Sequence, residues 1–272
     1  NPFDTQIGLR APLADERSFL IELCTILCTP PGQEQPYDGI TQLIGFTIDE
    51  MFRWRDDRMT GSEARNYLPY IDAEVDEAIK SYNIHLPREP YWWDVVEALF
   101  DLGLIHHASL AQRHAVPTLS DMITASRRPQ IRSLLEETKL GASSESIINA
   151  FERMITSAIR EFPILSGITR FDIGGARVCA LDLMDVAPQG DDSADRQTAL
   201  MYMLARHTLI RSWWMGEDAV KALPDKYRIY HQKRLVDIRE TPKRVCFDEF
   251  HRTSKSAAVR SQIVRDVREG RK

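Results

Sequence analysis

The chain lacks any apolar run of bilayer length and has few cysteines. Its apolar stretches, such as Phe19-Leu20-Ile21, are soon interrupted by a charged residue and are too short to cross a membrane. No two cysteines have the C-x-x-C spacing; the four are Cys24, Cys28, Cys179 and Cys246. We therefore expect buried thiols in a reducing compartment rather than disulfides or zinc ligands.

An excess of positive charge is also missing. The formal net charge is −5 over 272 residues, which gives no overall attraction to nucleic acid or to an anionic membrane, although it leaves room for a local basic patch. The histidines His106, His107 and His114 have no acidic or thiol partner at ligand spacing along the chain. No zinc site is therefore predicted.

Helical periodicity dominates the first part of the chain. Apolar residues recur at helical spacing from Ala14 to Cys28, with Asp15 near the start as a candidate cap. Further helical patterns lie near 39–54, 70–82, 89–102, 117–127 and 143–162, separated by prolines and glycines. No convincing strand appears between residues 11 and 165. This segment is predicted to be an all-helical block.

The hydrophobic period changes after Pro163. Residues 168–173 and 176–183 alternate as strands do, and Gly174-Gly175 between them favours a hairpin turn. Helical patterns follow at 193–215, 224–240 and 256–268, with one more strand predicted at 244–248. Strands that alternate with helices predict an α/β core with parallel pairing.

Two adjacent carboxylates end the last predicted strand. A charged lead-in and the apolar residues 245–247 precede Asp248-Glu249. In P-loop ATPases the first carboxylate of such a pair holds Mg²⁺, and the second orients the attacking water. The phosphate-binding loop G-x-x-x-x-G-K-[ST], which such a pair needs to act on ATP, is missing from the chain. Only half of a nucleotide site is therefore visible.

The last predicted helix supplies candidate phosphate ligands. Its basic residues are Arg260, Arg265, Arg268 and Arg271, and a solvated face is the simplest interpretation for any one of them. Alternatively, one could stabilise charge on a γ-phosphate. Residues 248–251 also spell D-E-x-H, the box of a helicase superfamily, but no other helicase motif accompanies it.

The sequence as a whole resembles the IcmB/DotO family of ATPases, which serve type IVB secretion and related conjugation systems and are relatives of the VirB-type traffic ATPases. The resemblance spans nearly the full length. The matching segments are 1–6 (NPFDTQ), 111–117 (AQRHAVP), 169–172 (TRFD), 181–188 (LDLMDVAP), 196–206 (RQTALMYMLAR), 248–253 (DEFHRT) and 268–272 (REGRK).

The resemblance implies a RecA-like P-loop NTPase core, only partly present, that is interrupted by a large all-helical insertion. Residues 1–10 would begin a core segment, 11–165 would form the insertion, and 166–272 would complete the core. Because the phosphate-binding loop of the family precedes a segment like 1–6, we expect this chain to be a fragment whose loop lies upstream.

The resemblance also assigns roles to residues. Asp248 becomes the Mg²⁺ ligand, Glu249 the catalytic carboxylate, and Arg268 or Arg271 a catalytic arginine. ATP and Mg²⁺ are the cofactors implied for the intact ATPase. This chain, lacking the loop that cradles the phosphates, is predicted to bind neither well and to be inactive alone.

The family further implies a location and partners. The implied location is cytoplasmic, at the inner membrane of a Gram-negative bacterium and without lipid insertion. The implied partners are other secretion-system components, further copies of the intact ATPase in a hexamer, and exported protein or relaxase–DNA substrates. Two alternatives stay open: a DNA translocase or helicase, and a helical module that docks partner proteins and has no chemistry of its own.

Overall fold

The computed structural model describes residues 8–30, 32–33, 35–141, 143–169, 176–188, 190–246, 259–260 and 263–264. These ranges contain α-helices, short 3₁₀-helices and isolated β-bridges, and no strand. Isolated bridges join Asn66 to Tyr91 and Lys139 to Ser146. None of the helices in these ranges combines the length and the apolar composition that crossing a bilayer requires.

The predicted α/β, RecA-like fold is wrong for the part of the chain that the structure describes. Residues 176–183, predicted as a strand, are irregular, and the side chain of Val178 is 91% exposed. Residues 243–246, at the start of the last predicted strand, are irregular as well, and Cys246 is exposed. A strand is stable only when a neighbouring strand pairs with its backbone, and the alternating pattern is a local signal that cannot supply that neighbour.

Helices occur at nearly all the positions where the helical period predicts them. Within the described ranges the α-helices are α1 (Ala14–Leu27), α2 (Ile40–Trp54), α3 (Ala73–Ser81), α4 (Trp92–Asp101), α5 (Ile105–Ala115), α6 (Asp121–Ser126), α7 (Pro129–Leu135), α8 (Ile147–Glu161), α9 (Asp192–Ile210), α10 (Glu217–Lys221) and α11 (Asp225–Glu240). Three of them, α5, α7 and α10, were not predicted.

The chain divides into two compact units. One, here called the central unit, includes residues 8–11 and 45–169. The other, here called the flanking unit, includes the described residues of 12–44 and those from 176 onward. The predicted division into 1–10, 11–165 and 166–272 stays a prediction, because it was drawn from the implied ATPase core.

The pair α4 and α5 forms one core of the central unit. Trp92, Val95 and Leu99 recur at helical spacing on α4 and are buried. They pack in one cluster with Ala111 of α5 and Val75 of α3. Burying side chains of this size stabilises the fold by roughly 1.5–3 kcal/mol each. The packing of these three helices against one another is therefore driven by their apolar faces.

A second part of the central unit is built on α8. Its apolar residues Ile147, Phe151, Ile155 and Ala158 follow one face of the helix and are fully buried. Ser146 caps the helix, because its Oγ accepts a hydrogen bond of 3.2 Å from the N–H of Asn149. The face opposite this stripe is polar and lies at the surface, where it contributes to the candidate site described below.

Buried charges join distant segments of the central unit. Arg10 is only 5% exposed, and its guanidinium lies 4.0 Å from the ring centre of Trp93. It donates to Asp56 over 3.1 Å, to Glu97 over 3.0 Å, and to Asp57. A guanidinium out of contact with water needs such partners, so this cluster anchors Arg10 to the turn that follows α2 and to the middle of α4.

The flanking unit is organised around α1 and α9. Phe19 of α1 stacks on His207 of α9 with ring centres 3.7 Å apart and planes 8° apart. Cys24 and Cys28 are buried free thiols, as predicted. Cys179 is exposed, contrary to the prediction of a buried thiol, because the strand that was to bury it does not form. Leu200 and Met203 of α9 are fully buried and form part of the core.

His207 is expected to make the stability of the flanking unit depend on pH. Burial, followed by the positive charges of Arg211 and Arg206, lowers the pKa of His207 to about 3. The unfolded chain, with a histidine pKa of about 6.5, therefore binds the extra proton first as pH falls. Stability contributed by neutral His207 is complete above pH 6.5 and declines between 6.5 and 3, by up to about 2 kcal/mol at pH 5.

The measurement is urea unfolding at pH 7.5 and pH 5 for the parent chain and for His207→Phe, which keeps an aromatic ring against Phe19. The variant should lose less stability between the two pH values. An equal loss in both proteins would contradict the assignment. His231, whose pKa is lowered to about 4 by burial and then by Arg234, contributes in the same direction in both and cancels in the comparison.

Candidate functional site

The carboxylates and arginines predicted to act on ATP lie outside the described residues. These are Asp248, Glu249, Arg268 and Arg271. Asp182, which belongs to the resembling segment 181–188, is described: it is exposed, and its Oδ1 accepts a hydrogen bond of 2.9 Å from the N–H of Met184 in a turn. The roles of the four candidate residues therefore stay predictions.

A polar groove lies on the surface of the central unit between α6 and α8. It is open to solvent and has a volume of about 520 Å³. Its lining consists of Ile123, Arg127, Asn149, Glu152, Arg153, Thr156, Ser157 and Arg160. Three arginines and one glutamate leave this lining with a formal charge of +2, although the chain as a whole is acidic.

The amphipathic sequence of α8 positions most of this lining. Asn149, Arg153, Thr156 and Arg160 follow one another at intervals of three or four residues, so they share one face of the helix. The opposite face carries the buried stripe that contains Phe151. Because that stripe fixes the rotation of α8, the polar face has to point outward into the groove.

Arg127 and Glu152 form the rigid part of the groove. The guanidinium donates two hydrogen bonds to the carboxylate, Nε to Oε1 over 2.7 Å and Nη2 to Oε2 over 2.5 Å. The side chain of Glu152 is 12% exposed and also accepts a hydrogen bond of 3.2 Å from Ser126 Oγ. The hydrogen bonds that Arg127 donates to Glu152, and then the negative charge of Glu152, raise the pKa of Arg127. This bidentate pair holds the guanidinium in one orientation.

Arg153 and Arg160 differ in how they are paired. Arg153 donates to both oxygens of Glu145, over 3.3 and 3.0 Å. No carboxylate in the described part of the chain forms an ion pair with Arg160. Arg160 therefore offers its five donors to a ligand, next to the hydroxyls of Thr156 and Ser157.

The chemistry of the groove is that of anion recognition. Guanidinium and hydroxyl groups bind carboxylate or phosphate oxygens. The lining contains no nucleophile with an adjacent general base, so it has no arrangement for covalent or acid–base catalysis. It contains no aromatic side chain on which a nucleic acid base could stack. Among the described residues, no cluster of side chains is arranged to hold a metal ion.

The histidines of α5 prove to be structural partners of α3. His114 stacks on Trp92 at 4.3 Å, and its Nε2 lies 3.1 Å from Oδ2 of Asp72, the residue that caps α3. Nε2 of His106 lies 2.9 Å from Oε1 of Glu74. These pairs could not be found by spacing along the chain, because the partners are more than thirty positions apart in the sequence.

Comparisons of this chain with protein family models, with curated proteins and with solved structures gave no match. The functional assignment therefore depends on the residues themselves.

Proposed function

We propose that this chain is part of a motor ATPase of a type IVB secretion or conjugation system, and that its central unit docks acidic peptide segments of partner proteins. The first half of the proposal comes from the sequence motifs that resemble the IcmB/DotO family, above all Asp248-Glu249. The second half comes from the groove between α6 and α8. ATP hydrolysis itself is assigned to the intact ATPase and not to the central unit.

The single observation that supports docking is the arrangement of Arg127, Arg153 and Arg160 along one open groove. Arg153 and Arg160 are seven positions apart on α8, a rise of about 10 Å. In a polyproline II peptide, which has three residues per turn and a rise of about 3.1 Å, carboxylates three residues apart share one face and lie about 9 Å apart. A polyproline II segment with acidic residues at every third position therefore presents one carboxylate to Arg160 and the next to Arg153, which would exchange Glu145 for the peptide.

Nucleic acid is the less suitable ligand for this groove. Single-strand binding sites combine positive charge with aromatic platforms, and the lining has no aromatic residue. The alternative of a DNA translocase is therefore not favoured by any feature of this site.

The test is the binding of a fluorescein-labelled peptide with glutamate at every third position to the full chain, followed by anisotropy. Arg160→Glu should weaken binding by at least about tenfold, because a hydrogen bond to a charged group contributes roughly 1.5–3 kcal/mol and the substitution adds repulsion. The matched control is Arg132→Glu on α7, since Arg132 is an exposed arginine outside the groove.

Three results would contradict docking in the groove. The first is an equal loss of affinity in the two variants, which would mean that the peptide responds only to overall charge. The second is no measurable binding of the peptide to the parent chain. The third is displacement of the peptide by single-stranded DNA of equal charge, but not by an excess of unlabelled peptide, which would favour the DNA alternative.

A further inference from the structure

The loop before α3 presents three apolar side chains to solvent. Leu68, Tyr70 and Ile71 are 58%, 95% and 55% exposed, and together with Pro69 they form what is here called the 68–71 knob. Scattered exposed apolar residues are normal on a protein surface. Three within four positions, one of them a nearly fully exposed tyrosine, form a cluster of the type that binds partners.

The frame beneath the knob is rigid. Tyr67 lies against Trp92 of the α4–α5 core, with ring centres 4.9 Å apart at 85°. Its N–H donates to the carbonyl of Pro90 over 2.8 Å, and its hydroxyl donates to Oδ1 of Asp76 over 2.5 Å. The other oxygen of Asp76 accepts a hydrogen bond of 2.6 Å from the N–H of Tyr70. One carboxylate thus ties the exposed Tyr70 to the partly buried Tyr67.

The backbone of Tyr70 is held in a conformation that tyrosine rarely adopts. Its φ is +75°, in the left-handed region, which costs a non-glycine residue roughly 1–2 kcal/mol. Glycine or asparagine would occupy this position with less strain. The position instead carries a large aromatic side chain that makes almost no contact with its own protein. Strain of this kind concentrates at binding sites.

The surroundings of the knob are acidic. Helix α3 begins two residues after Ile71, and its first turns and cap contain Asp72, Glu74, Asp76 and Glu77, against which Lys80 is the only basic residue of the helix. Glu74 and Glu77 are exposed and one turn apart, so they lie on one side of α3. The groups facing Glu74 from α5 are His106 and His107, 2.9 and 4.0 Å away.

We propose that the 68–71 knob is a docking site for a basic amphipathic helix of a partner protein. The apolar stripe of such a helix covers Leu68, Tyr70 and Ile71, and lysines or arginines one turn apart along its border pair with Glu74 and Glu77. Because the knob is fixed before binding, little conformational entropy is lost when the helix docks. This surface is separate from the arginine groove and takes a ligand of the opposite charge.

The probe is a labelled helical peptide of leucine and lysine whose leucines form a single stripe, titrated with the full chain. Tyr70→Gly is the main variant, because it removes the ring and relieves the positive φ, so the thermal midpoint should be unchanged or slightly higher. The affinity for the peptide should nevertheless fall by at least about tenfold, as expected for a central aromatic contact. Adding Glu77→Lys to Tyr70→Gly should lower the affinity for the peptide further.

Two controls separate specific docking from adhesion. Leu134→Ser changes an equally exposed aliphatic residue on α7, which is 64% exposed, and should leave the affinity unchanged. A peptide with glutamate in place of lysine should not bind. The proposal is overturned if Tyr70→Gly binds the peptide as the parent does, if Leu134→Ser weakens binding equally, or if the glutamate peptide binds as well. It is also overturned if sedimentation finds that the chain alone dimerises and that Tyr70→Gly abolishes the dimer.

Discussion

Replacement of Asp121 with alanine is expected to lower the free energy of unfolding of the central unit by about 2–4 kcal/mol. Its carboxylate accepts from Arg55 over 2.6 Å, from Arg65 over 2.5 Å and from the N–H of Thr118 over 2.7 Å. Breaking one side of a buried ion pair costs about 3–5 kcal/mol. The value here is reduced because the two arginine side chains are 19% and 22% exposed, so water can partly replace the lost partner.

The dependence of stability on the protonation of Asp121 provides a second test of this prediction. Burial opposes ionisation, but the hydrogen bond from Thr118 and the charges of Arg65 and Arg55 outweigh it and hold the pKa of Asp121 below its usual range. Its contribution to stability is therefore complete above the ordinary aspartate pKa of about 4 and is lost as pH falls through the lower folded value. The alanine variant should lack this acid-dependent loss.

Chemical denaturation of the full chain at neutral pH and at pH 3 measures both effects. The matched control is Asp218→Ala on α10, whose carboxylate is 98% exposed and pairs with Lys221 over 3.2 Å. An exposed pair contributes little to stability. Equal losses in the two variants would mean that Asp121 is not the centre of a buried charge cluster.

In the intact ATPase that the resemblance implies, Glu249→Gln is expected to abolish most ATP turnover while leaving nucleotide binding largely intact. The glutamate is the residue assigned to orienting the attacking water, and loss of a positioned acid–base group typically reduces the rate by about 10²- to 10⁴-fold. Binding should persist because Asp248, assigned to Mg²⁺, is unchanged. Phosphate release and the affinity for a fluorescent nucleotide are the two measurements.

Glu240→Gln is the control for this experiment, because Glu240 is an exposed residue at the end of α11. Normal turnover in Glu249→Gln would remove the catalytic assignment, and with it the strongest support for the ATPase half of the proposed function. The peptide experiment on Arg160 would be unaffected by that outcome, since the groove belongs to the central unit.

The helices could be predicted because their signal is local. On α8 the spacing of Ile147, Phe151 and Ile155 predicts both the helix and its buried face. Helix α5 was missed because its sequence, with paired histidines and only two large apolar residues, has little contrast between its faces. Helix α7 was missed because it begins at Pro129, and prolines were taken as boundaries between the predicted helices. Helix α10 has only five residues, too few for a period to be recognised.

The strands could not be predicted reliably for the opposite reason. Alternation over residues 176–183 is compatible with a strand, but whether one forms depends on a partner elsewhere in the chain. In the described residues no such partner pairs with them. The α/β prediction also relied on the acidic pair at 248–249 as the end of a strand, and that pair lies outside the described residues.

The candidate groove was likewise beyond the reach of sequence reasoning. Arg127 and Arg160 are separated by more than thirty positions, and each alone is simply a charged residue on a solvated helix face. Only the packing of α6 against α8 brings their side chains to one surface. The 68–71 knob could not be predicted either, because the sequence around Tyr70 does not indicate a positive φ.

Local order was therefore set by the residues alone: where most helices begin and end, which face of each is apolar, and that Cys24 and Cys28 are buried. The tertiary structure decided which charges meet, namely Arg10 with Asp56, Arg55 and Arg65 with Asp121, and Arg160 with no described carboxylate. The physical reason is that helical periodicity arises from neighbours three and four positions apart, whereas electrostatic partners are chosen by distance in space after those helices have packed.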